Sequence, residues 1–174
     1  MKALNALMNQ VAFEQLDPGP SDRVLEIGFG PGAFLDQILT RTSSVAGIDF
    51  SLTMVHETSR RLGAQVKICL GSALALPFEG RRFTKICTVN TVYFWDDLQQ
   101  AFTECRRVLQ PGGSLVVCFN SSDELAKGSW DRYGFNLHTE DDIRISVRSA
   151  GFSHIDCKMT HDPEQEDFFC LRAS

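Results

Sequence analysis

The sequence predicts an α/β fold of five strand–helix units closed by an antiparallel hairpin, and three observations carry that prediction. The first is residues 24–34, VLEIGFGPGAF, an apolar strand that passes through Glu26 into glycines at 28, 30 and 32 and then into a helix. The second is the alternation of short apolar runs with apolar stripes of helical spacing as far as residue 120. The third is a pair of late strands, 152–159 and 168–172, joined by a short acidic loop. Such a loop suits an antiparallel pair, because a parallel crossover takes about a dozen residues or more.

The elements follow in order. Leu4, Leu7, Met8, Val11, Ala12 and Leu16 trace one face of an N-terminal helix that Asp17-Pro18-Gly19-Pro20 ends. A strand over 23–27 leads through the glycine turn to a helix from Pro31 to about Thr40, with Pro31 presetting the φ of its first turn. The second strand, 45–48, ends at Asp49, and Ser51 can cap a helix that stops near Leu62-Gly63. A third strand covers 65–70 and a fourth 83–90. The helix from Asp96 or Asp97 to Leu109 carries the apolar stripe Leu98, Ala101, Phe102, Cys105, Val108 and Leu109, with acids at its start and Arg106-Arg107 near its end to suit the helix dipole. Pro111-Gly112-Gly113 should stop it, leaving a fifth strand at 114–120. After a polar, aromatic stretch at 121–137, Thr139 and Asp142 form a variant capping box for a last helix to about Ala150, and Gly151 closes it.

Size and charge narrow the function. The 174 residues suffice for a single domain (1–174), with 1–19 as an N-terminal lid helix and 121–137 as a short insertion. No run approaches the roughly 20 apolar residues of a membrane span, and Asn5, Asn9 and Gln10 break any signal-peptide core, so a cytoplasmic protein is expected. With a net charge of −5 and no basic run longer than a pair, nucleic acid is not an expected partner. The six cysteines show no CxxC and no Cys/His ligand spacing; they read as reduced small hydrophobes, and no metal is expected.

The strand, glycine turn and helix N-terminus make a nucleotide-binding corner, but GFGPGA also satisfies the loose dinucleotide pattern. Glu26 separates the readings. A carboxylate two residues before Gly28 suits a ligand's ammonium group and would repel a pyrophosphate lying over the same turn. Asp49, at the end of the second strand, can accept both ribose hydroxyls, a feature that does not discriminate. The terminal hairpin also departs from a simple dinucleotide fold.

VLEIGFGPG, GIDFS at 47–51, GSALALPF at 71–78, NTVYFWDD at 90–97, LQPGGSLVV at 109–117 and AGF at 150–152 form an ordered set spanning roughly residues 20–174. In these the chain resembles the class I S-adenosylmethionine-dependent methyltransferases, near the small-molecule branch that includes the ubiquinone and menaquinone biosynthesis enzymes. The resemblance implies a Rossmann-like three-layer sandwich around a seven-stranded, mostly parallel sheet ordered 3-2-1-4-5-7-6, with strand 7 antiparallel. It implies S-adenosyl-L-methionine across the carboxyl ends of strands one to four. Gly28, Gly30 and Gly32 would pack on the methionine part, with Glu26 near its ammonium. Asp49 would hold the ribose, Phe50 would flank the adenosine with Met54 nearby, Ser72 and Ala73 would face the adenine edge, and Asn90 would meet the methionine moiety through its backbone. The family usually has Asp where this chain has Ser72, which exchanges a charge-assisted hydrogen bond for a neutral one.

On the acceptor side the candidates are Tyr93, Phe94 and Trp95, then Asn120, Trp130, Tyr133 and His138. Tyr93 is placed at the methyl-transfer corner, with a packing aromatic as the alternative, and His138 precedes a helix cap, where a structural role is the favoured reading and a general base the alternative. The expected activity is methyl transfer to a small organic molecule with release of S-adenosylhomocysteine, by a monomer or homodimer. The rivals are a non-catalytic binding relative of the same fold and an NAD(P)-binding oxidoreductase.

Overall fold

The computed structural model describes residues 6–122, 125, 135–162 and 167–174. Among the described residues the elements run in the expected order: α1 (Ala6–Leu16), β1 (Arg23–Ile27), α2 (Ala33–Leu39), β2 (Ser44–Asp49), α3 (Leu52–Leu62), β3 (Val66–Leu70), β4 (Phe83–Val89), a 3-10 turn (Val92–Phe94), α4 (Leu98–Val108), β5 (Leu109–Asn120), α5 (Glu140–Ser149), β6 (Ile155–Thr160) and β7 (Phe168–Ala173). The seven strands form one sheet ordered β3-β2-β1-β4-β5-β7-β6. Strands β1 to β5 pair in parallel, while β7 runs antiparallel to both β5 and β6.

Alternation along the strands divides the apolar residues between two cores. Val24, Val45, Val66, Val116 and Cys118 face α1, α2 and α3, whereas Leu25, Ala46, Ile86, Leu115 and Val117 face α4 and α5. The sheet is therefore buried on both faces, which is why its central strands read as nearly continuous apolar runs.

The helix starts are fixed by the side chains that the sequence suggests. The Ser51 hydroxyl accepts the Met54 N–H at 3.4 Å, and the Asp97 carboxylate accepts the Gln100 N–H at 2.9 Å. Thr139 and Asp142 cap each other's main chain in a reciprocal box. Three boundaries differ from expectation by two residues or more, and the late strand expected from Phe152 is one of them, since β6 begins only at Ile155. Helix α2 begins two residues later than Pro31, at Ala33, because Gly32 caps it in the left-handed conformation (φ 79°). Strand β5 begins at Leu109, directly after α4, so Pro111-Gly112-Gly113 lies within the strand rather than before it. The register there jumps from Phe83↔Leu109 to Lys85↔Ser114, a bulge that accommodates the proline.

Candidate functional site

A cleft of about 460 Å³ opens where the carboxyl ends of β1, β2 and β4 meet the glycine turn. This is the crevice that the topology of an open α/β sheet leaves for a ligand. Its floor is Glu26. The side chain is 3% exposed, and its Oε2 is buried with no hydrogen-bond partner. Burial, and then the charges of Asp49 and Asp36, push its carboxyl up to about 8. A buried oxygen without a donor is costly, and a ligand ammonium supplies both the missing donor and the opposing charge.

The turn above Glu26 is held by main-chain bonds. Gly28 (φ 74°) donates its N–H to the Ile48 carbonyl at 2.7 Å. A Cβ there would lie 2.3 Å from Cγ2 of Thr91, so glycine is required both by conformation and by the close approach of the loop after β4. The Gly30 N–H donates to Asp49 Oδ2 at 2.8 Å, and the Ser51 N–H to Asp49 Oδ1 at 2.9 Å. Asp49 thus clasps the turn to the start of α3 while lining the cleft. A carboxylate has about four acceptor sites, so two remain for ligand hydroxyls.

Of the residues expected at the cofactor, Glu26, Gly28, Gly30, Asp49, Phe50, Met54, Ser72, Ala73 and Asn90 all line this cleft. Gly32 does not. It faces α3, where an added Cβ would meet Arg61 Nη2 at 2.8 Å and Thr58 Cγ2 at 3.0 Å, so its smallness serves helix packing. Phe50 is 69% exposed at the rim, its ring 6.1 Å from that of Phe94. The Ser72 hydroxyl accepts the Leu74 N–H at 3.1 Å and keeps its own proton to donate. Asn90 adopts a left-handed φ of 59°, and its N–H is committed to the Cys118 carbonyl at 2.8 Å. A main-chain contact from Asn90 to a ligand would therefore run through its carbonyl.

The two candidate catalytic side chains lie elsewhere. Tyr93 is 1% exposed and absent from the cleft lining. Its hydroxyl accepts the Asn120 N–H, and its ring stacks on Phe135 at 5.6 Å. It ties the ends of β4 and β5 together, while its neighbours Phe94 and Trp95 face the cleft. His138 is also absent from the lining. Burial lowers its proton affinity, which the Trp95 carbonyl and Asp142 partly restore, and its Nε2 is buried without a partner. Trp130 and Tyr133 lie outside the described residues, as do Glu164 and Glu166 of the acidic loop. In that loop Asp162 is buried rather than solvated, and Asp167 pairs with His161 at 2.7 Å.

Two polar lining side chains show what the sequence reading did not assign to the site. Asn9 reaches the cleft from α1, and Thr91 from the position just before the 3-10 turn. The one signal for Asn9 is a polar position beside the buried Met8 on an otherwise apolar face. Among the described residues no cluster of His, Cys, Asp and Glu could hold a metal ion, and no helix is long and apolar enough to cross a membrane.

Comparison with known proteins agrees with this geometry. Residues 25–117 match a family model described as a methyltransferase domain. An uncharacterized methyltransferase of Bacillus subtilis, YdaC, is 33% identical over 160 residues, covering 90% of this chain and 85% of the relative. A demethylmenaquinone methyltransferase of Corynebacterium kroppenstedtii is 29% identical over 66% of this chain, and the match spans about half (49%) of that enzyme. Among solved structures, the geranyl diphosphate C-methyltransferase of Streptomyces coelicolor, crystallised with S-adenosyl-L-homocysteine, superposes with a TM-score of 0.83 at 15% identity, covering 98% of this chain and 79% of that one. At that identity the likeness shows the fold alone. With the family match covering more than half its length, the chain belongs to the S-adenosylmethionine-dependent methyltransferases.

Proposed function

We propose that the protein transfers a methyl group to a small organic acceptor and releases S-adenosylhomocysteine. The observation that carries this reading is the buried, unpartnered Glu26 oxygen beneath the glycine turn. It fits the ammonium of an amino-acid-bearing nucleoside and opposes the pyrophosphate of a dinucleotide. S-adenosylmethionine, when bound, supplies a methyl group on a sulfonium that is already a good leaving group.

The residues present fit the task of binding and orienting. Glu26 holds the ammonium, Asp49 offers its remaining acceptor sites to the ribose, and Ser72 and Ala73 border the base. Phe94 and Trp95 wall the open end with apolar surface that excludes water. The titratable side chains among the described lining residues are Glu26 and Asp49, both assigned to the cofactor. The size of the cleft suits a small molecule rather than a folded protein.

Calorimetric titration with S-adenosylmethionine and S-adenosylhomocysteine, with NAD and NADP as controls, tests the reading. Micromolar binding of the adenosyl compounds alone is expected, weakened about tenfold or more by Glu26→Gln, which cannot pair an ammonium. A folded protein that binds neither compound at millimolar concentration refutes the proposal.

A further inference from the structure

At the opposite end of the strands, a second cleft of about 330 Å³ lies across the amino ends of β3, β2, β1 and β4. Three cations line it, Lys67, Arg23 and Arg82, with Ser43, Ser44 and Gln65 as neutral donors and no carboxylate. None of the three cations forms an ion pair among the described residues, although Asp36, Glu104 and Glu140 pair with arginines elsewhere. All three are exposed, so water screens their mutual repulsion, and an anion seated among them would meet three positive charges and no carboxylate.

Their positions are built. Arg23 Nε donates to the Arg82 carbonyl at 2.6 Å, which fixes the guanidinium and leaves its two outer nitrogens as donors. The Arg82 guanidinium rests over the Phe83 ring at 5.9 Å, and Lys67 Nζ over the Phe78 ring at 5.5 Å. Those two rings pack edge to face at 5.0 Å, so two of the cations stand on one aromatic pair. Strand spacing sets Lys67 and Arg23, two strands apart, at roughly 10 Å. The carboxyl end of α3, at Gly63, also borders the cleft and opposes an anion, but with about half a charge against three.

We infer that this cleft binds a short polyphosphate-bearing small molecule. Guanidinium forks and serine hydroxyls match phosphate oxygens, and two or more linked phosphates bridge cations that a single phosphate cannot reach together. A long nucleic acid is disfavoured by the net charge of −5 of the whole chain. The site stands apart from the cofactor cleft and shares no lining residue with it.

The test is calorimetry of the whole chain with inorganic pyrophosphate, and with orthophosphate for comparison, at about 150 mM salt to screen non-specific attraction. Pyrophosphate should bind below about 1 mM and at least tenfold tighter than orthophosphate. Lys67→Gln and Arg82→Gln should each weaken it about fivefold or more, while Arg148→Gln on α5 leaves it unchanged. S-adenosylhomocysteine affinity should not move in any of these variants. Absence of binding at 10 mM, or equal loss in Arg148→Gln, overturns the inference. Tighter capture of a twelve-residue oligouridylate than of pyrophosphate, lost in the same variants, would replace it with nucleic-acid binding. The Lys67 side chain is exposed, so its variant reads the site even if Arg82→Gln disturbs the fold.

Discussion

Ser72 and Asp49 show how much a single residue's hydrogen-bond inventory decides. Asp49 already accepts two main-chain N–H groups, so truncating it would loosen the glycine turn and the start of α3 together, and its effect on ligand affinity could not be read as ribose contact alone. Ser72 is the cleaner probe. Its hydroxyl holds one local bond, to the Leu74 N–H, and a carboxylate of similar reach could keep that bond while accepting from an adenine amino group. Hydrogen bonds to charged acceptors contribute about 1 kcal/mol more than neutral ones, so Ser72→Asp should tighten S-adenosylmethionine about fivefold in a calorimetric titration. Unchanged or weaker binding would show that residue 72 does not face the adenine amino group.

The glycine turn and the loop after β4 act as one element. Gly28→Ala would place a methyl 2.3 Å from Thr91 Cγ2 at a positive φ, whereas Gly30→Ala, also at positive φ, would meet nothing within 4 Å. The first should cost about 3 kcal/mol or more in urea unfolding, the second about 1 kcal/mol, the conformational penalty alone. Adding Thr91→Ser to Gly28→Ala should recover part of the difference, with a coupling above about 0.5 kcal/mol; strict additivity would refute the contact. The order of elements was legible in the sequence because caps and apolar periods are local: Ser51, Asp97 and the Thr139–Asp142 box each act within three residues. The start of β5 was not, because Pro111-Gly112-Gly113 reads locally as a stop, and only pairing with β4 across the bulge makes it strand. The candidate site divides the same way. Glu26 and the turn follow from one motif and Asp49 from the next, while Tyr93 turns inward, where its hydroxyl accepts the Asn120 N–H at the end of a strand distant in sequence. Asn9 enters the cleft from a helix remote in sequence from every motif.

For the molecule as a whole, the buried Glu26 couples folding to pH and, where it meets the ligand ammonium as proposed, to the cofactor. Its carboxyl holds a proton up to about pH 8 in the folded chain, against an ordinary value of 4.5. Between those values the native state binds one more proton than the unfolded state, so stability falls as pH rises. Other groups act in different ranges. Glu104, held low by Arg107, Asp142, held low by Thr139, and Asp22, held low despite its burial, add stability as pH rises, but only in the acid range. His138, with its proton affinity lowered by burial, adds a similar rise that ends near 6.5. The buried thiols of Cys87, Cys105, Cys118 and Cys157, raised by burial, matter only towards pH 9 and above. Between pH 6.5 and 8 the Glu26 proton is left to set the slope. Over that interval the ligand-free protein should lose about 1.5–2 kcal/mol, a fall of about 3–8 °C in Tm for a chain of this size. Glu26→Gln should abolish the fall and raise the Tm at pH 8, a gain in stability made at the expense of binding. Saturating S-adenosylmethionine should abolish it as well, since its ammonium favours the ionised carboxylate in the complex. Thermal unfolding of both proteins at half-unit steps from pH 6.5 to 8, with and without cofactor, decides the matter. A slope that persists in Glu26→Gln would place the proton on another group, and one that persists under saturating cofactor would mean that the ammonium does not reach Glu26.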